Sequence, residues 1–387
     1  MVCGRLDDDR GRISYTYARS YLARPEAVPV YEPELAIRPG ALFSADGNRL
    51  PLCIDDAMPD SWGRRLVGHR LDAPTGEFGE LTYLLESGSD RIGALDFQKS
   101  PTEYLAREVD RPTVDDLATA SERIEAGLDL NPVLEAALLR GTSIGGARPK
   151  ALLDDGNRKL VAKFSSTTDT YPVVQGEFVA MELAQRVGID VAAVELTRAA
   201  GRYALLIERF DRDLHDHRQR VVSALTVLGL SAFPGGRYAS YADLADQVRA
   251  RFVNADATLR ELFARVSFNI LCGNTDDHGR NHAAFVRSDG LALAPAYDVC
   301  PQGRSGTAAA QAMAFGRDGQ RDARLSVLVD AASVFHLDRA AAEAIAQLQV
   351  DAINDNWDTV CDLAQLTAAE RAAFMGRQFL NPYAFDA

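Results

Sequence analysis

Gly273-Asn274-Thr275-Asp276-Asp277-His278-Gly279-Arg280-Asn281 is the stretch on which the reading of this chain turns. It sets an acidic residue, Asp276, five positions before a carboxamide, Asn281. Phosphoryl transfer asks little covalent chemistry of a protein. It needs a positioned nucleophile, divalent metal on the phosphates, and cations or N–H groups to hold the charge. The D-x-x-x-x-N spacing suits the first two needs, and the residues that follow extend it. His282–Val286 and Leu291–Ala294 read as two strands around a Ser288-Asp289-Gly290 turn, with Asp298 just past the second. Asp276 is therefore expected to accept or orient a substrate hydroxyl proton. His278 is expected to fix the loop or touch phosphate. Asn281 and Asp298 are expected to bind Mg²⁺ through oxygen, the donor type that ion prefers. Two rival readings stand beside this one. Asp276 and Asp277 would cap a turn, or His278 and His282, four apart, would ligate a metal with Asp276. Gly279 and Asn281 make a helix there poor, which weakens the second rival.

Upstream, residues 147–164 read as a hairpin. Ala151-Leu152-Leu153 and Leu160-Val161-Ala162-Lys163-Phe164 are the strands, and Asp154-Asp155-Gly156-Asn157 is the turn. A kinase needs a lysine on such a strand to reach the α- and β-phosphates, and Lys163 is in place for it; the other reading makes it simply a surface lysine at a strand end. Glu177 opens the next helix, expected over residues 175–187, and is placed to pair with Lys163. Before the hairpin lies Gly141-Thr142-Ser143-Ile144-Gly145-Gly146-Ala147-Arg148-Pro149-Lys150. Its backbone N–H groups suit a phosphate cradle. It also contains a formal G-x-S-x-G match. In a hydrolase that motif runs from strand to helix. Here Val133–Leu139 reads as helix and Ala151–Leu153 as strand, so the order is reversed.

The first hundred residues read as short strands and turns. Arg12–Tyr17 alternates, Asp46-Gly47-Asn48 is a turn, and residues 61–71 form an amphipathic helix capped by Asp60 or Ser61. Pro101, Pro112 and Pro132 punctuate a polar stretch with one helix between the last two. The expected organisation is a domain over 1–105, a connection over 106–134, and a larger unit over 135–387. That unit divides near 212 into a β-rich lobe with one helix and a helical lobe. The expected fold class is α+β: a two-lobed protein-kinase-like fold preceded by a small β-rich N-terminal domain, with ATP in the crevice between lobes.

The 387 residues carry 42 Lys and Arg against 55 Asp and Glu, a formal charge of −13. A chain this acidic is not expected to bind nucleic acid by its overall field. Five scattered cysteines without a C-x-x-C pair argue against a disulfide framework or zinc–thiolate site and fit a reducing, cytoplasmic setting. No apolar run approaches the ~18 residues that read as a membrane span, and no membrane is expected as a partner.

Four ordered motifs resemble the HipA-like serine/threonine kinases of bacterial toxin–antitoxin systems. They are Ser143–Lys150, Ile207-Glu208-Arg209-Phe210-Asp211-Arg212, Gly273–Asn281 and Pro295-Ala296-Tyr297-Asp298-Val299. The stretches Met58-Pro59-Asp60-Ser61-Trp62-Gly63-Arg64-Arg65 and Gly88–Leu95 resemble the family's first domain. The resemblance implies Asp276 as catalytic residue, Asn281 and Asp298 as Mg²⁺ ligands, and Lys163 as nucleotide lysine. It implies that Glu208 and Phe210 contact adenine at the hinge. Gly145, Gly146, Ala147, Arg148 and Lys150 would fall in the phosphate loop, and Ser143 would be an autophosphorylation site. It further implies ATP and Mg²⁺ as cofactors and a small DNA-binding HipB-like antitoxin as partner. Its protein substrates would be translation-related, such as an aminoacyl-tRNA synthetase. The family loop commonly carries Gln-Glu-Lys where this chain has Arg148-Pro149-Lys150. The first strand is expected to be short or absent. Two other functions share the scaffold: a kinase acting on a small molecule or lipid, and a catalytically silent scaffold for antitoxin and DNA.

Overall fold

The computed structural model describes residues 1–44, 47–73, 76–105, 112–130, 134–135, 137–138, 148–156, 158–166, 168–213, 215, 217–232, 235–304 and 306–386. The N-terminal unit begins with β1 (Gly4–Asp9) and β2 (Arg12–Tyr17), paired antiparallel through a tight turn at Arg10 and Gly11. Both turn residues have positive φ, the backbone twist that two-residue hairpins require. The first strand is thus six residues long rather than short or absent. Strand β3 (Ala41–Leu42) completes the sheet. Alternation in β2 buries Ile13, Tyr15 and Tyr17. Helices α1 (Ser61–Arg70) and α2 (Glu80–Glu86) follow, with Trp62, Leu66, Val67 and Leu84 fully buried. Helix α3 (Val114–Glu125) starts on a Thr113–Asp116 capping box.

Strands β4 (Lys150–Asp154) and β5 (Lys159–Phe164) form the expected hairpin. With β6 (Val194–Ala199) and β7 (Arg202–Glu208) they build an antiparallel sheet in the order β4-β5-β7-β6. Both faces are covered. Leu160, Ala162, Ala204 and Leu206 join the core that contains Trp62. Val161, Leu205 and Ile207 pack on Val174, Phe178 and Met181 of α4 (Val173–Arg186). Such double burial explains why β5 reads as a nearly continuous apolar run.

Beyond β8 (Val221–Ser223) the chain is mainly helical, with α5 (Tyr241–Arg251), α6 (Ala255–Cys272) and α7 (Arg339–Leu363). Helix α6 stops at Gly273, whose φ is 73°. A Cβ there would stand 2.8 Å from the Gln378 carbonyl oxygen, so glycine meets both the conformation and the close approach. Strands β9 (Ala283–Val286) and β10 (Leu291–Leu293) pair as the second hairpin, with β8 alongside β9. No helix among the described residues is long and apolar enough to cross a membrane.

The N-terminal unit grips both lobes. Arg212 reaches Asp90 Oδ1 at 2.6 Å, and the Gly93 N–H donates to Asp211 Oδ2 at 2.7 Å. Arg280 reaches Asp55 Oδ2 at 2.6 Å, while Asp56 accepts from both the N–H and the hydroxyl of Ser223.

Candidate functional site

Three charged side chains meet where the two lobes face each other. Lys163 projects from β5 toward α4, because its sheet face is the one α4 covers. Its Nζ donates to Glu177 Oε1 at 2.5 Å and also to Asp298 Oδ1. Both Lys163 and Glu177 are buried, and Asp298 is partly exposed. Burial works against all three charges. The two carboxylates overcome it at Lys163, whose ammonium is held above its ordinary value. Burial prevails at Glu177, which is raised. At Asp298 the Lys163 ammonium wins, and its carboxyl is lowered. Asp298 has φ 58°, a left-handed conformation that a non-glycine residue adopts at a cost. Its carboxylate reaches across the crevice to the Lys163 ammonium.

The loop after α6 splits its two neighbouring acids between opposite tasks. Asp276 is exposed, and its side chain makes no hydrogen bond or ion pair among the described residues. Loss of hydration on its protein side raises its carboxyl. His278 opposes this, and the Asp298 and Asp277 carboxylates add to it. The loop is closed from within: Asn281 Nδ2 donates to the Asp276 carbonyl at 3.1 Å, and the Asn281 N–H to the His278 carbonyl at 2.8 Å. The Asn281 amide oxygen is thereby left without a hydrogen bond among the described residues. His278 Nδ1 is buried, again without a partner among them.

Asp277 points the other way, into the core. It accepts from Asn269 Nδ2 at 2.7 Å and from the Tyr241 hydroxyl, and pairs with His282 Nε2 at 3.0 Å. Burial would raise this carboxyl, but His282, Tyr241 and Asn269 outweigh it and hold it low. Neither rival reading of the loop fits this geometry. Asp277 braces the loop instead of capping a turn, and residues 274–281 are not helical. His282 turns to Asp277 instead of joining Asp276 around a metal. Asp277→Ala is expected to cost about 2–4 kcal/mol, since it strands three buried partners. Thermal unfolding of the variant checks this.

On the β-lobe side, Arg148 Nη2 donates to both carboxylate oxygens of Asp169, each at 2.5 Å. Lys150 opens β4, buried, with its Nζ on Asp60. Glu208 ends β7, and Phe210 lies beyond it, its ring 5.8 Å from that of Phe285 and 5.5 Å from that of Tyr297. Ser143, Gly145, Gly146 and Ala147 lie outside the described residues. Lys163, Glu177, Asp298 and the Asp276–Asn281 loop are therefore brought together, and Phe210 packs on Tyr297, the neighbour of Asp298. The sequence reading named Asp60 only as a helix cap and Arg209, Asp211 and Arg212 only within a motif; it missed Asp60 as the counter-charge of Lys150, Asp277 as a brace, the parts of Tyr241 and Asn269, and the ion-paired Arg209–Asp211–Arg212 cluster. The available signal was charge beside apolar runs, as at Lys150 before Ala151-Leu152-Leu153, because a buried charge requires a partner.

A β lobe holding a lysine–glutamate pair, a helical lobe holding an acidic loop and hairpin, and a crevice between them define a protein-kinase-like fold. The comparisons with known proteins narrow that class. The model of the HipA-like C-terminal domain matches residues 142–357, and that of the HipA N-terminal domain matches residues 1–98. The chain belongs to the HipA-like kinase family. It is 27% identical over 322 residues to "Putative kinase Y4mE" of Sinorhizobium fredii, covering 77% of this chain and 74% of that protein. It is 30% identical over 186 residues to the serine/threonine-protein kinase toxin HipA of Shewanella oneidensis, covering 41% of this chain and 42% of that protein. The fold matches Shewanella oneidensis HipA, solved with HipB and its operator DNA, with a TM-score of 0.70 at 20% identity. That match covers 99% of this chain and 92% of the other.

Proposed function

We propose that the protein transfers the γ-phosphoryl group of ATP to a Ser or Thr hydroxyl of a protein. The observation that carries this reading is the meeting of Lys163, Glu177 and Asp298 beside a loop whose Asp276 is unencumbered. The substrate oxygen forms a bond to the γ-phosphorus, the bond from that phosphorus to the β–γ bridging oxygen breaks, and ADP leaves. Asp276 orients the attacking hydroxyl and takes its proton. Lys163 holds the α- and β-phosphates, fixed in place by Glu177. Asn281, through its unused amide oxygen, and Asp298 are the residues that would hold Mg²⁺. Bound there, the ion would supply positive charge to offset the negative charge developing on the phosphates. The donor set fits. Among the described residues no group of three or more His, Cys, Asp or Glu could hold a metal ion. Mg²⁺ at a kinase site takes one or two protein carboxylates and draws its other ligands from the nucleotide and water.

The family reading extends to regulation and partners. Ser143 is the proposed autophosphorylation site, where a new phosphate of nearly two charges would compete with the nucleotide for the same cations. Glu208 and Phe210 are the proposed adenine contacts, and Gly145 to Lys150 the phosphate loop. A HipB-like antitoxin is the proposed partner, a translation-related protein the proposed substrate, and the cytoplasm the proposed location. Calorimetry of ATP binding tests the nucleotide part. Binding that requires Mg²⁺ is expected, and absence of binding with Mg²⁺ present contradicts it.

A further inference from the structure

The Met58–Arg65 motif has no part in the kinase reading, yet the fold carries it to the edge of the site. Lys150 and Lys163 are direct partners across β4 and β5, so both side chains leave the sheet on one face. Like charges directly opposite each other on neighbouring strands repel. Lys150 is also only 1% exposed, where an ammonium is costly without a counter-charge. Each lysine therefore needs its own carboxylate. Lys163 has Glu177 and Asp298, and Lys150 has Asp60.

Asp60 is fixed at both oxygens. Oδ1 accepts the Gly63 N–H at 2.7 Å, as the N-cap of α1, and Oδ2 takes the Lys150 ammonium. Trp62, fully buried in the first turn of α1, donates its Nε1–H to the Lys150 carbonyl at 3.2 Å. The start of α1 thus holds the lysine by main chain and side chain together. Two ammonium groups carried on one sheet face near Asp298 offer adjacent phosphates more positive charge than one alone.

We propose that Asp60 is a positioning residue for the nucleotide: it keeps Lys150 charged and aimed beside Lys163, so the N-terminal unit completes the phosphate-binding site in cis. This inference rests on the kinase reading above. Among the described residues, the groups facing Lys150 include Asp60 from α1, Lys163 from β5 and Asp298 from beyond β10, with Arg65 near Asp60. Burial pulls the Lys150 ammonium below its ordinary value, and Lys163 pulls the same way. Asp60, and more weakly Asp298, oppose them. Without the Asp60 charge, Lys150 sheds its proton at lower pH.

Asparagine is as good an N-cap as aspartate, so Asp60→Asn removes the charge and keeps the cap. The test is the KM for ATP, with Mg²⁺ saturating, measured on the full chain between about pH 6 and pH 9. Asp60→Asn is expected to raise KM about tenfold, with a smaller change in kcat. Its KM should climb with pH where that of the wild type does not. Lys150→Met should raise KM to a similar degree without that climb. The double variant, which buries no unpaired charge, should be no worse than Lys150→Met. The inference is overturned if Asp60→Asn keeps the wild-type KM at every pH, or if Asp60→Asn adds its full effect on top of Lys150→Met. Failure of the wild type to bind ATP would overturn the kinase reading and this inference with it. Normal wild-type binding beside an unaffected Asp60→Asn sinks this inference alone.

Discussion

Asp276→Asn is expected to lower the rate of phosphoryl transfer by about 10²–10⁴-fold while leaving the protein folded and able to bind ATP. The magnitude is that of a lost general base or hydroxyl-orienting group. The selectivity follows from the surroundings. The Asp276 carboxylate is exposed and bonds to no described side chain, so its replacement strands no partner. Stability should stay within about 0.5 kcal/mol of the wild type, as for most surface changes. The wild-type pH profile supplies a second readout. The proposed reaction needs Asp276 ionised, and reduced hydration plus neighbouring carboxylates raise its carboxyl. The acid limb of kcat/KM should therefore fall above ~4, the usual Asp value, with activity gained as pH rises through it.

Lys163→Met is expected to damage both binding and stability. The substitution keeps most of the volume but leaves Glu177 and Asp298 facing each other without their cation. Removing one member of a buried ion pair costs about 3–5 kcal/mol. The pH dependence has a definite sign. In the variant both carboxyls are raised in the folded state relative to the unfolded chain, so the folded state binds more protons. Stability then falls as pH rises from the unfolded toward the folded value. The variant should be closest to wild type in acid and furthest from it at neutral pH. Thermal unfolding across that range distinguishes Lys163→Met, with a shifted and pH-dependent Tm, from Asp276→Asn, with an unchanged one.

The contrast between these residues marks how far the sequence could be read. The β4–β5 hairpin, α4 and the β9–β10 hairpin were legible because period and turn chemistry are local: Asp154–Asn157 and Ser288–Gly290 announce their turns. The loop was legible because Asp276 and Asn281 sit five apart. Glu177 was legible as partner of Lys163 because it lies near the start of the very next helix. What was not legible depends on distant packing. Asp60 meets Lys150 from 90 residues away, and Asp211 takes the Gly93 N–H from 118 away. Asp277 looks identical to Asp276 in the sequence. Only the approach of Tyr241, Asn269 and His282 turns it inward as a brace.

In the proposed reaction Asp276 serves transfer of the ATP γ-phosphoryl to a protein hydroxyl. The direct measurement is incubation of wild type and Asp276→Asn with γ-labelled ATP, Mg²⁺ and a cell extract, followed by phosphoamino-acid analysis of labelled protein. Label on Ser or Thr that depends on Mg²⁺ and is lost in Asp276→Asn is the expected result. Equal labelling by the two proteins, or none by a wild type that binds ATP, would contradict it.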